Sequence, residues 1–279
     1  MTVESFGSKL VAAVAARGPL CVGIDPHPQL LKAWGLPESV AGLAKFAGTA
    51  VEALGGTVAV LKPQSAFFEA YGSAGIAVLE RLIADARSAG ALVLLDAKRG
   101  DIGSTMAAYA AAYLTEGSAL AADAVTLSPY LGFGSLQPAV TAARANGRGV
   151  FVLALTSNPE GSALQHAVAP DGRSVAQAIA DAAADENQGE SPLGSVGLVV
   201  GATVGRTGVD LGQVNGPLLA PGLGAQGGSV ADLRVVFGND LRAVLPTTSR
   251  EVLRAGPAVD GLRNAARDLA EKLRAALDD

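Results

Sequence analysis

Eight short apolar runs punctuate this chain, at residues 20–24, 58–61, 92–95, 124–127, 149–155, 196–200, 218–220 and 243–245. Most are uninterrupted, which suits strands buried on both faces, as in a parallel sheet covered by helices. Helical patterns fall between them at 43–54, 76–89, 105–114, 137–145, 175–184 and 230–237, with a charged one at 261–277. Strand and helix alternating to eight strands favours an α/β fold closed into a single (β/α)8 TIM barrel. An open doubly wound sheet is the alternative, because periodicity does not report closure. Residues 1–279 are expected to form one barrel domain with a decorated connection at about 156–195.

Composition limits the core and the partners. Hydrophobic residues are 49% of the chain but aromatics only 4%, so the core has to be built from aliphatic layers. The formal charge is −5 and no basic tract occurs, so nucleic acid is not an expected partner, whereas one local site could still hold a phosphorylated small molecule. Cys21 is the sole cysteine and sits in an apolar run, so it is expected to be a buried hydrophobe in a protein of the reducing cytoplasm. Residues 1–17 are amphipathic without the pattern of a signal peptide, and no apolar stretch is long enough for a membrane span.

Charge gathers where these runs end. Asp25 follows the first, Lys62 the second and Asp96 the third, with Lys98 two residues further on. Barrel enzymes place their chemistry at the C-terminal ends of strands. Residues two apart on an extended backbone point to one side, so Asp96 and Lys98 are expected to face the same space. An alternating network Asp25–Lys62–Asp96–Lys98 would keep both carboxylates ionised and both lysines protonated. A protonated lysine stabilises negative charge and donates protons, but cannot form an imine. The segment Pro221-Gly222-Leu223-Gly224-Ala225-Gln226-Gly227-Gly228 and the later Thr248-Ser249-Arg250 follow the seventh and eighth runs, where barrels often bind phosphate. Glycines admit an anion close to backbone N–H groups, a helix N-terminus follows, and Arg250 adds a fixed charge; Ser249 by itself suits an N-cap. His27, between two prolines in a turn, is expected at the surface, and neither it nor His166 has metal-binding spacing.

The stretch Asp96-Ala97-Lys98-Arg99-Gly100-Asp101-Ile102 with Thr105 beyond it resembles the active-site motif of the orotidine 5'-phosphate decarboxylase family, in the form found in its longer second subgroup. That resemblance implies decarboxylation of orotidine 5'-phosphate to UMP in de novo pyrimidine biosynthesis, without a cofactor or metal. It implies that Lys98 stabilises charge at C6 and protonates it, with Asp96 beside the departing carboxylate. Asp101 and Thr105 resemble residues contributed across a homodimer interface to the partner's site. Asp25 resembles a ribose contact, Lys62 a member of the charged network, Ser157 and Asn158 base contacts, and Gln226 and Arg250 phosphate contacts. Two other readings stay open: a Schiff-base barrel aldolase using Lys62 or Lys98, and a barrel that only binds a nucleotide.

Overall fold

A computed structural model describes residues 3–224, 227–238 and 241–278. Eight parallel strands pair in chain order and close on themselves: β1 (Cys21–Ile24), β2 (Val60–Pro63), β3 (Leu92–Arg99), β4 (Ala124–Leu127), β5 (Gly149–Leu155), β6 (Val196–Val200), β7 (Leu218–Pro221) and β8 (Val244–Thr248). Closure is made by β1 against β8, with Cys21 opposite Thr247 and Val22 opposite Thr248. The open-sheet alternative is thereby excluded. A closed barrel leaves no unpaired edge, which is why such short strands suffice.

The barrel interior and the helix-facing layer are separate apolar clusters. Inside, Val60, Leu94, Phe151, Val199, Leu219 and Leu245 stack with Cys21. Phe6 and Leu10, from the helix Phe6–Arg17, join this inner cluster, and the Phe6 ring meets Phe151 edge-on with centroids 5.9 Å apart. The amphipathic N-terminal segment therefore plugs the end of the barrel where strands begin. Outside, helices Val40–Leu54, Gly72–Ser88 and Val259–Asp278 bury aliphatic stripes against the strands, as the scarcity of aromatics requires. The connection after β5 carries a 3₁₀ turn (Pro159–Gly161), a short helix (Ser162–Gln165) and a bridge between Val168 and Ser174 before the helix Val175–Glu186. Among the described residues, no helix is long and apolar enough to cross a membrane.

Four strands end further along than their apolar runs suggest, β7 at Pro221 and β8 at Thr248 among them. β2 includes Lys62 and Pro63, and β3 continues through the charged motif to Arg99. In β3 the register is broken: Leu95 pairs with Val125 and Arg99 with Leu127, so β3 advances four residues while β4 advances two. Such a bulge bends the strand and re-aims its side chains. Lys98 lies inside it with φ 48°, in the left-handed region that a lysine rarely occupies. Gly100 then passes so close to β4 that a Cβ there would run into the Ser128 carbonyl oxygen. Gly100→Ala is expected to destabilise the fold by about 1–3 kcal/mol through this overpacking. Chemical denaturation measures it, and an unchanged midpoint would show that the bulge tolerates displacement.

Candidate active site

Lys62, Asp96 and Lys98 converge at the end of the barrel where strands finish. Lys62 Nζ lies 2.8 Å from Asp96 Oδ2, and Lys98 Nζ lies 2.5 Å from Asp96 Oδ1. One carboxylate thus sits between two ammonium groups. Lys62 and Asp96 are buried, whereas the Lys98 side chain stays 42% exposed, which leaves it open to a ligand. The shared-side expectation for Asp96 and Lys98 holds, but not through an extended backbone: the bulge and the left-handed Lys98 bring them together.

Two further donors complete Asp96. Thr126 Oγ1 donates to Oδ1 at 2.8 Å. Gln64, with its amide nitrogen turned inward, donates to the Asp96 carbonyl oxygen at 2.9 Å and to Oδ2 at 2.8 Å. Burial by itself would raise the Asp96 pKa, but Lys62 and then Lys98 outweigh it and hold the carboxyl well below the usual carboxylate range. Burial also opposes the charge on Lys62, yet Asp96 and then Asp25 push its pKa above the ordinary lysine value. Beneath them, burial pushes the Cys21 thiol up to about 12, so it stays neutral.

The four-membered alternating chain expected from the sequence is corrected in one respect. Asp25 acts on Lys62 electrostatically but makes no ion pair within 4.0 Å among the described residues, and its Oδ1 is buried without a hydrogen-bond partner. That orphaned acceptor lines a cavity of about 370 Å³ together with His27, Lys62, Gln64, Phe67, Asp96, Thr248, Ser249 and Arg250. Ser249 stands at the N-cap position of the helix Arg250–Leu253, but its Oγ makes no capping bond and is likewise buried without a partner. Buried polar atoms left unpaired call for a polar ligand or ordered water. His27 is not a free surface group. It is half-buried, meets the Phe67 ring edge-on at 4.3 Å between centroids, and faces the cavity.

A second cavity of about 120 Å³ shares Lys62, Asp96 and Pro221 with the first and adds Lys98, Thr126, Thr156 and Ser157. Its floor is apolar, from Leu153, Leu155, Val199 and Leu219. The ion triad therefore separates a polar compartment from a narrow apolar one. Ser157 lines the latter. Asn158 does not; its amide is taken up by Thr156 at 2.7 Å and Glu160 at 3.0 Å. Asp101 and Thr105 line neither cavity: Asp101 Oδ1 accepts the Ile102 N–H at 2.8 Å, and Thr105 is exposed. Gln226 lies outside the described residues. The helix Val230–Phe237 after the glycine-rich loop is closed by its own capping box, Ser229 with Asp232, so its N-terminus is already occupied by a carboxylate. Among the described residues, no group of three or more His, Cys, Asp and Glu side chains could hold a metal ion.

Sequence reasoning assigned no role to Thr126, Gln64 or Phe67, and placed His27 at the surface. A signal existed for Thr126 alone, as the one hydroxyl in the apolar run of β4.

Residues 18–265 match the profile of the Orotidine 5'-phosphate decarboxylase / HUMPS family. The chain belongs to this family. An orotidine 5'-phosphate decarboxylase of Salinispora tropica is 66% identical over 275 residues, spanning 99% of each chain. One from Streptomyces coelicolor is 60% identical over 276 residues, again spanning 99% of each. The crystal structure of a putative orotidine 5'-phosphate decarboxylase from Streptomyces avermitilis superposes with a TM-score of 0.97 at 61% identity, covering 100% of this chain and 98% of that one. Family membership thus covers the barrel from β1 to the last helix, including every strand that supplies a charge to the mouth.

Proposed function

We propose that this chain is a carboxy-lyase that converts orotidine 5'-phosphate to UMP and carbon dioxide in pyrimidine biosynthesis, using its own side chains without a cofactor. The observation that carries the reading is the Lys62–Asp96–Lys98 triad at the mouth of the closed barrel, with Lys62 and Asp96 buried and Lys98 open to a ligand. In the reaction the C6–carboxylate bond breaks and its electron pair stays on C6. The Lys98 ammonium faces that developing charge and then gives its proton to C6; its exposure lets solvent restore the proton. Asp96 beside the leaving carboxylate favours departure by like-charge repulsion. Lys62 holds Asp96 ionised, so the repulsion is present when substrate binds. An aldolase reading through Lys62 or Lys98 finds no support, because Lys62 is held protonated by Asp96 and Asp25 and Lys98 is ion-paired with Asp96. A merely binding barrel would have no use for so costly a buried charge cluster. Loss of orotidine 5'-phosphate absorbance on adding purified protein, with no added metal or cofactor, tests the assignment; absent turnover refutes it.

The polar cavity suits ribose and phosphate, with Asp25 accepting from ribose and Arg250, with Gln226 of the glycine-rich loop, holding phosphate. Ser157, with Asn158 in the same loop, is assigned to the base at the narrow cavity. Arg250→Ala is expected to raise KM by about 10- to 100-fold, the worth of a charged hydrogen bond. Comparing orotidine with its 5'-phosphate checks this, since an undiminished preference for the phosphate would remove Arg250 from the site.

The working unit is proposed to be a homodimer with shared sites. Asp101 and Thr105 stand on a rim that also exposes Ile102, Tyr130 and Leu131, large apolar side chains 53–78% accessible. A two-fold contact across this rim would carry Asp101 and Thr105 to the partner's cavity. Mixing Lys98→Ala with Asp101→Ala chains should then restore activity, because each heterodimer holds one site with both defects and one with neither. Verified heterodimers without recovery would refute sharing. The whole of 1–279 is taken as one domain acting in the cytoplasm, a reading supported by the single barrel and the lone buried thiol.

A further inference from the structure

We infer that Thr126 is a positioning residue for the decarboxylation, its single hydroxyl setting both Asp96 and Lys98. The inference rests on the function proposed above and concerns what holds the two charged groups in place. Thr126 is 1% exposed and lies on β4 opposite the bulge in β3. The bulge takes Lys98 out of the strand ladder, so its backbone N–H needs another acceptor. Thr126 Oγ1 supplies it, accepting from Lys98 N at 2.9 Å. The same oxygen donates to Asp96 Oδ1 at 2.8 Å, the oxygen that Lys98 Nζ approaches to 2.5 Å.

The polarity of this arrangement is forced. A backbone N–H can only donate, so one hydroxyl lone pair accepts it. An ionised carboxylate can only accept, so the hydroxyl proton points to Asp96. No other orientation satisfies both partners. The hydroxyl thus ties the strained Lys98 backbone and the carboxylate that orients the Lys98 ammonium to one rigid strand. Ser128 holds the other side of the same residue, donating from Oγ to the Lys98 carbonyl at 3.1 Å. Without the Thr126 hydroxyl the Lys98 N–H loses its acceptor on β4 and only the carbonyl side stays tied, so Lys98 would relax out of the left-handed region and the ammonium would drift from C6.

Four proteins test this: wild type, Thr126→Val, Thr126→Ser and Thr126→Ala. Val keeps shape without the hydroxyl; Ser and Ala differ from each other by the hydroxyl alone, so the comparison survives if the Val protein fails to fold. Misplacement by about an ångström lowers turnover by about 10²-fold. That loss is expected in kcat for Val and Ala, with KM and UMP affinity changed less than about 3-fold, and with Ser near wild type. Wild-type kcat in Ala, or Ser falling as far as Ala, would overturn the inference. A crystal structure of Thr126→Ala decides the matter independently of activity. Lys98 should leave positive φ, and its Nζ should move beyond about 4 Å from Asp96. An unchanged Lys98 refutes the positioning role, even if wild type proves inactive on orotidine 5'-phosphate and the functional reading itself falls.

Discussion

Lys98→Ala is expected to lower kcat by at least about 10⁴-fold while leaving folding and UMP affinity close to wild type. The size follows from two roles lost together: electrostatic stabilisation of the charge appearing at C6, and delivery of the proton. Both act in the transition state more than in the ground state, so turnover falls rather than binding. The half-exposed side chain contributes little to the core, so thermal melting should shift by only a few degrees. Lys98→Arg should not rescue, since a guanidinium does not readily give up a proton. Steady-state assays with a parallel UMP titration measure the split. Turnover within tenfold of wild type in the alanine variant would mean that another group protonates C6.

Asp96→Ala is expected to damage stability and activity together. Removing this carboxylate strands the buried Lys62 ammonium without its partner, which costs about 3–5 kcal/mol. In a chain of this length that is a drop of about 5–10 °C in Tm. Activity should fall by at least about 10²-fold, because Lys98 also loses the anion that orients it. Adding Lys62→Met to Asp96→Ala should recover most of the stability and none of the activity. A double variant no more stable than the single one would show that the stranded charge is not what destabilises it.

The same pair predicts a broad pH plateau. The Asp96 pKa is depressed, so its contribution to stability is complete above the unfolded value of about 3.9 and disappears as pH falls through the folded value below that. The Lys62 pKa is raised, so its contribution is complete below the unfolded value of about 10.4 and is lost as pH rises through the folded value. Between those limits neither group changes charge.

Much of this molecule is written locally. Each apolar run is a strand because a parallel barrel strand is buried on both faces, and each helical pattern covers one. The Asp96–Asp101 motif carries its family in charge order and spacing, and Lys62 and Asp25 announce themselves by following apolar runs. Arg250, read from the sequence as a fixed charge at the phosphate end, is carried by β8 to the lining of the polar cavity.

What the sequence by itself determined was therefore the strand and helix alternation, the family, and which ionisable residues stand at strand ends. Those are properties of neighbours along the chain. Closure of β1 on β8, the bulge that turns Lys98 toward Asp96, and the Thr126 and Gln64 bonds to that carboxylate were decided by tertiary structure. Each joins residues on different strands, and register between strands depends on how all eight pack around a common core rather than on any one segment. The same holds for Asp25, whose spacing suits an ion pair but whose carboxylate lines the cavity with an oxygen unmet by protein. A charge's place in sequence tells which groups are available; only the packed barrel settles which of them touch.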